Sequence, residues 1–316
     1  MSATLRDFKN ADFRGENLTG FDFTGTNVSG ADFTDADLRT ADFTGSAVLK
    51  TDFTGANLTG ARFDDSSCRG SIYHLANMTN SYFVCADLTG ALMSGAVLDG
   101  ANLNESYMVG VSIVGSSAIG ANFATCNLTG ASMSLSVFRQ ADFSYTVMRN
   151  TDLTGSNFRD AILTQAKLVG ANLTEARFKW AKMKSADLAI ATLRRCDLTL
   201  ADLEWADLTG ADLSGADLTR ANLTRADLTD CDLSGADLTG TDLPDSLDNF
   251  DMRVENAFYG GTEIGRNSQG YFTAHIDTKS DGPEYYQSVM ADTLSGILAM
   301  IDSRMAEDAR VMAVEA

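Results

Sequence analysis

Every fifth residue from Phe8 to Leu243 is hydrophobic, 48 positions without a phase slip. The series begins Phe8, Phe13, Leu18, Phe23, Val28, in a chain whose hydrophobic content is only 44%. Two residues before each large side chain, from position 11 to 241, 44 of 47 positions hold Ala, Ser, Thr or Cys; the exceptions are Glu16, Phe21 and Val111. A period of five fits neither the roughly 3.6 residues of a helical turn nor the alternation of an ordinary strand. The chain must therefore turn a corner once per repeat. If each five-residue unit forms one side of a square, twenty residues close a coil, with the large side chain filling its centre and the small one packed beside it. Asp or Asn before the large residue, and Thr, Ser and Gly after it, suit turns and solvent-facing positions. Such coils stack into a solenoid, in which each contacts only its neighbours and the ends need caps.

Ala86-Asp87-Leu88-Thr89-Gly90, Ala206-Asp207-Leu208-Thr209-Gly210 and Ala236-Asp237-Leu238-Thr239-Gly240 resemble the A(D/N)Lxx unit of the pentapeptide repeat family. The resemblance covers roughly residues 6 to 243 and implies an all-β solenoid, a right-handed quadrilateral β-helix. Four units per coil then give about 12 coils and, at a strand spacing of ~4.8 Å, a rod about 55 Å long.

Because position modulo twenty identifies the face, departures from the consensus map onto the rod. Asp197, Asp202, Asp207, Asp212, Asp217, Asp227, Asp232, Asp237 and Asp242 visit all four faces in turn and make an acidic collar. Asx side chains of this kind also bond local backbone N–H groups, so the collar has a purely structural reading as well. Between 139 and 195 the balance reverses, with ten cations, among them Arg139, Arg159, Lys179, Arg194 and Arg195, against five acids. Arg139, Arg159 and Lys179 are twenty apart and should stack on successive coils. The usually Gly-rich corner is taken by large apolar residues at Leu135, Tyr145, Trp180, Ile190, Leu200 and Trp205. Trp180 and Leu200 should share one corner, one coil apart, with Trp205 on the next. An exposed aromatic patch beside arginine is a typical interface anchor, unless the chain's own tail covers it.

Pro244 ends the five-residue register, which divides the chain into a β-helix over 1–243, an irregular or short-strand cap or connector over 244–282 and a helix over 283–312. Phe272, Ala274 and Ile276 alternate with polar or aromatic neighbours and predict a strand, joined through the glycine-rich 260–270 stretch to an earlier one around 252–258. Met290, Leu294, Ile297, Leu298, Ile301 and Met305 fall on one helical face behind Pro283, which predicts an amphipathic helix. That stripe has to be buried, either by capping the last coil or by docking on another chain. Dimerisation through such C-terminal segments is implied by the family resemblance alone.

The chain carries Lys+Arg 24 against Asp+Glu 43, a net charge of -19. That charge argues against direct nucleic-acid binding, which needs clustered cations on phosphate. No apolar run approaches a membrane span, and the N-terminal residues lack the apolar core of a signal peptide, so a cytoplasmic protein, or a virion component assembled in the cytoplasm, is expected. Five scattered cysteines form no CxxC pair, and two histidines, His74 and His275, leave little for nucleophile-base or metal chemistry. The expectation is a protein without catalytic residues, metal or cofactor, acting by contact. Two contact functions follow. One is a scaffold or assembly component, in a cell or a phage particle, using its faces and tail to bind protein partners or copies of itself. The other, implied by the family, is a DNA mimic that binds DNA gyrase or topoisomerase IV and modulates it or protects it from quinolones.

Overall fold

The computed structural model describes residues 7–244 and, beyond them, 257–259, 262–266, 272–277, 286–291, 296, 298, 299 and 301–303. From Asp7↔Asn27 to Asn222↔Asp242, parallel bridges join each side of a coil to the residue twenty positions later. The square coil anticipated from the period is thus the repeating unit. Its ladder uses four kinds of backbone bond, one of them from the corner residue to the carbonyl nineteen positions on, as in Gly25 to Thr44 (2.9 Å). The N–H of each central residue donates to the carbonyl nineteen positions on, as in Phe23 to Asp42 (2.7 Å). The residue before it donates backwards, as in Asp32 to Ala11 (2.9 Å), and the small residue closes a turn onto the preceding large one, as in Ala31 to Val28 (3.0 Å).

That turn explains the fifth position. Its third residue is left-handed at every corner from Asn10 to Gly240, where glycine carries no steric cost and L-residues carry about 1–2 kcal/mol. Glycine fills 21 of these corners and other residues fill 26, so the geometry belongs to the coil rather than to glycine. The central residues from Phe23 to Leu238 are completely buried or nearly so, and each Leu or Phe withdrawn from water contributes about 1.5–3 kcal/mol. Aromatic rings stack coil on coil through the N-terminal half, as in Phe23 on Phe43 at 4.5 Å and Phe43 on Phe63 at 4.6 Å. Where the small residue carries a polar atom, it bonds either a carbonyl one coil back, as Thr51 Oγ1 to Val28 at 2.9 Å and Cys196 Sγ to Leu173 at 2.8 Å, or that of the preceding large residue, as Thr26 Oγ1 to Phe23 and Ser81 Oγ to Met78, both at 2.7 Å. The Tyr73 hydroxyl is the one buried side-chain polar atom without a partner among the described residues.

The described part of the tail is a four-stranded antiparallel meander, β1 (Ala257–Tyr259), β2 (Thr262–Arg266), β3 (Phe272–Asp277) and β4 (Tyr286–Ala291), in that spatial order. β3 lies where alternation predicts it. Two expectations are corrected. The stretch expected to be a glycine-rich connector holds a strand of its own, β2, whose Ile264 is buried and pairs with Ala274. The helix expected from 283 does not begin there, because Met290 lies in β4 opposite Thr273. Tyr286 and Val289 favour an extended backbone, and the free edge of β3 supplies the pairing that decides it. Residues 296, 298, 299 and 301–303 are helical, with Leu298 and Ile301 buried. Leu294, Ile297 and Met305 lie outside the described residues, and a continuous C-terminal helix is not shown. Among the described residues no helix is long and apolar enough to cross a membrane.

Candidate partner-binding surface

Large side chains at the left-handed corners point into solvent, since the central and small positions of each unit take the interior. Trp180 (φ 60), Leu200 (φ 58) and Trp205 (φ 62) all adopt this backbone. Trp180 is 40% exposed and Trp205 51%, so no described segment of the tail covers them. Trp180 and Leu200 occupy one corner on successive coils and Trp205 the next corner, as the register requires. Neither ring stands alone. The Arg159 guanidinium lies 4.5 Å and the Lys179 ammonium 5.0 Å from the Trp180 centroid. Arg225 caps Trp205 at 4.8 Å. Such cation–π contacts contribute about 0.5–1 kcal/mol when exposed, and they hold rigid, amphipathic surfaces outward.

The Arg225 contact escaped the sequence reading, although its signal was available: Arg225 is twenty residues after Trp205 and so shares its corner. Arg139, Arg159 and Lys179 do lie on one column, through the bridges Val137↔Asn157 and Asn157↔Arg177 beside them. Arg159 meets Asp160 at 3.3 Å, Arg195 meets Glu175 at 3.6 Å and Arg194 pairs with Asp212 on the next coil. These exposed pairs add little stability, and they temper the basic band rather than cancel it.

The collar residues first serve the backbone. Asp197 Oδ1 accepts the Thr199 N–H at 3.0 Å, Asp207 that of Thr209 at 2.9 Å, and the same bond recurs at Asp202, Asp212, Asp217, Asp227, Asp232 and Asp237. The structural reading of the collar is therefore correct for its Oδ1 atoms. Asp242 shares the column of Asn222 and is exposed. Burial works against ionisation of Asp212, yet the Ser214 hydroxyl, Arg194 and the Ser214 N–H together hold its carboxyl below the usual range. Four cysteines are buried, which pushes Cys68 and Cys126 up to about 11 and Cys196 up to about 12. Cys85 is the exception, exposed at a corner. Among the described residues no three or more His, Cys, Asp or Glu side chains converge on a metal-sized site.

A square solenoid with internal Leu/Phe columns, small residues beside them and left-handed corners defines a pentapeptide-type β-helix. The chain belongs to the pentapeptide repeat family, whose sequence profile matches it eight times, over residues 7–45, 36–80, 81–117, 119–155, 151–189, 176–215, 186–225 and 206–245. Among solved structures it is similar to HetL, a pentapeptide repeat protein involved in heterocyst differentiation regulation from the cyanobacterium Nostoc sp. strain PCC 7120. That match has 28% identity and a TM-score of 0.34, and covers 77% of this chain and 93% of HetL. It is also similar to full-length QnrB1, a plasmid-mediated fluoroquinolone resistance protein, at 19% identity and a TM-score of 0.39, covering 66% of this chain and 93% of QnrB1. A third relative is Rfr23 from the cyanobacterium Cyanothece 51142, at 23% identity and a TM-score of 0.20, covering 43% of this chain and 90% of Rfr23. Comparison with curated proteins returns no match.

Proposed function

We infer that this chain is a non-enzymatic protein-binding rod, a scaffold or assembly component that works in the cytoplasm or in a particle assembled there. One observation carries the reading. Trp180 and Trp205, both tryptophans of the chain, stand exposed at left-handed corners where glycine would be free of strain. Exposed tryptophans held beside cations, which neither the interior nor the turn requires, are typical of a contact surface. The decisive experiment places a photo-crosslinking residue at 180 in the native host, with a control at Val114, more than three coils away along the rod. Capture of a discrete protein partner at 180 and none at 114 is expected; equal capture at both, or none at either, would remove the reading.

The Asp columns favour a second reading, a DNA mimic bound by a type II topoisomerase. Residues 1–243 carry 30 acids and 19 bases, whereas ~55 Å of duplex carries about 32 negative charges. The rod thus has about one third of the charge of the duplex it would imitate, and the basic band interrupts its field. A gyrase supercoiling assay, with and without a quinolone, separates the two: inhibition or protection would promote the mimic and direct mutagenesis to the collar.

A further inference from the structure

One face of the rod lies between the Trp180 corner and the Trp205 corner. Its outward columns carry Lys182 above Asp202 and Lys184 above Glu204, each pair one coil apart. Lys184 Nζ reaches Glu204 Oε2 at 2.7 Å within the chain. Lys182, by contrast, has no ion-pair partner among the described residues, and Asp202 is held only by the Asn222 side-chain amide and the Glu204 N–H. A basic row thus lies directly beside an acidic row on a flat face with a tryptophan at each of two diagonal corners.

We propose that this face pairs with the same face of a second copy, antiparallel, about a two-fold axis that crosses the rod between these two coils. Such an axis keeps each side chain in its column and exchanges the coils. Lys182 then meets Asp202 of the second copy, Lys184 meets Glu204, and Trp180 covers Leu200. One row further out, Asp160 meets Arg220. The same charges reject the alternatives. Parallel rods put Lys182 against Lys184, and an axis through either coil puts Lys182 on itself or Asp202 on itself. In a chain of net charge -19, the collar would likewise set acid against acid. Two rows further out than Lys182 and Asp202, Asp142 would meet Asp242, so the pairing spans four coils, about 19 Å of rod, and belongs among small interfaces of roughly micromolar affinity. The arrangement is isologous, as a closed dimer requires. It rests on reading this surface as a protein contact and names a second copy as its occupant.

The test is sedimentation velocity on the full-length chain across the micromolar range, with two charge-reversal variants, Lys182→Glu/Lys184→Glu and Asp202→Lys/Glu204→Lys. The wild type should dimerise, and each variant alone should weaken the dimer by at least about tenfold. An equimolar mixture of the two should recover it, since every contact between unlike variants joins opposite charges. Both tryptophans flank the face, so emission should shift to the red on dilution of the wild type and not of the single variants. Circular dichroism matching the wild type confirms that the variants fold. A monomeric wild type, variants that dimerise like it, or a mixture that stays monomeric would each overturn the pairing. Loss of the pairing together with retained crosslinking at 180 would leave the contact function standing with another occupant.

Discussion

Arg159 lies over the face of Trp180, 4.5 Å from the ring centroid, from the preceding coil of the same rod. The guanidinium shields that part of the indole from solvent, and Lys179 lies 5.0 Å from the same ring. Arg159→Gln should therefore increase acrylamide quenching of the chain's fluorescence, while Arg225→Gln, which uncovers Trp205, should do so independently. Quenching that responds to neither change would mean that the stacked geometry does not persist in solution.

The corners store backbone strain that glycine would release. Ile190 is β-branched, 65% exposed and left-handed (φ 53). Ile190→Gly is expected to raise stability by about 1 kcal/mol, read as a higher Tm, in spite of the apolar surface removed. The reverse change at the next coil, Gly210→Ile, should lower it, because a Cβ there would also press on Ile190 Cγ2 at 3.3 Å.

Tyr73 stacks on Phe53 at 5.1 Å, at the end of a run of stacked rings that begins with Phe13 and Phe33. Its hydroxyl is buried beside Cys68 and Ser71 without a partner, and burial pushes its pKa well above the ordinary value. Tyr73→Phe removes the orphan and keeps the ring, so equilibrium unfolding should show about 1–2 kcal/mol of added stability. A loss on this substitution would show that the hydroxyl is satisfied.

Acid should release two exposed arginine–carboxylate forks in the N-terminal coils. The Arg14 side chain forks onto Asp12 at 2.9 and 2.7 Å and holds its carboxyl at about 2, from an ordinary 3.8; Arg39 lowers Asp37 in the same way. A carboxyl depressed in the folded state stabilises above its unfolded value and loses that contribution as pH falls through the folded one. A carboxyl titration followed by NMR should therefore place Asp12 at about 2 rather than 3.8, and Arg14→Ala should move it upward.

Native thiol labelling should stop at one equivalent. Cys85 is the only exposed cysteine, and slight burial together with the Glu105 and Asp65 carboxylates raises its pKa. Maleimide should modify it slowly at neutral pH, and Glu105→Gln should speed the reaction. Rapid modification of a second cysteine would show that coils open on that timescale.

The five-residue hydrophobic series is enough to build the rod from sequence, because one position in five is large, one is small and the phase never slips. It also places Trp180, Leu200 and Trp205 on their corners and stacks Arg139, Arg159 and Lys179. What it does not convey is conformation within a column. That Arg225 folds over Trp205, or that Lys184 reaches Glu204 while Lys182 has no ion-pair partner among the described residues, depends on rotamers that spacing leaves open. The tail was harder, since no repeat constrains it. Met290 shares the helical spacing of Leu298 and Ile301, yet β3 offers it a hydrogen-bonded ladder six residues long, and tertiary pairing overrides the local pattern.

Since each coil closes after twenty residues and every side of it after five, the rod has a grammar for insertion and deletion. Loss of one residue would exchange inside for outside in everything downstream. Loss of five would leave the interior columns continuous yet rotate the whole remaining surface by a quarter turn, carrying Trp205 to a different side from the one it now shares with Lys184. Only a change of twenty preserves both the interior and the aspect. Length in such a chain is therefore quantised twice, once for survival of the fold and once for the direction in which its surface looks.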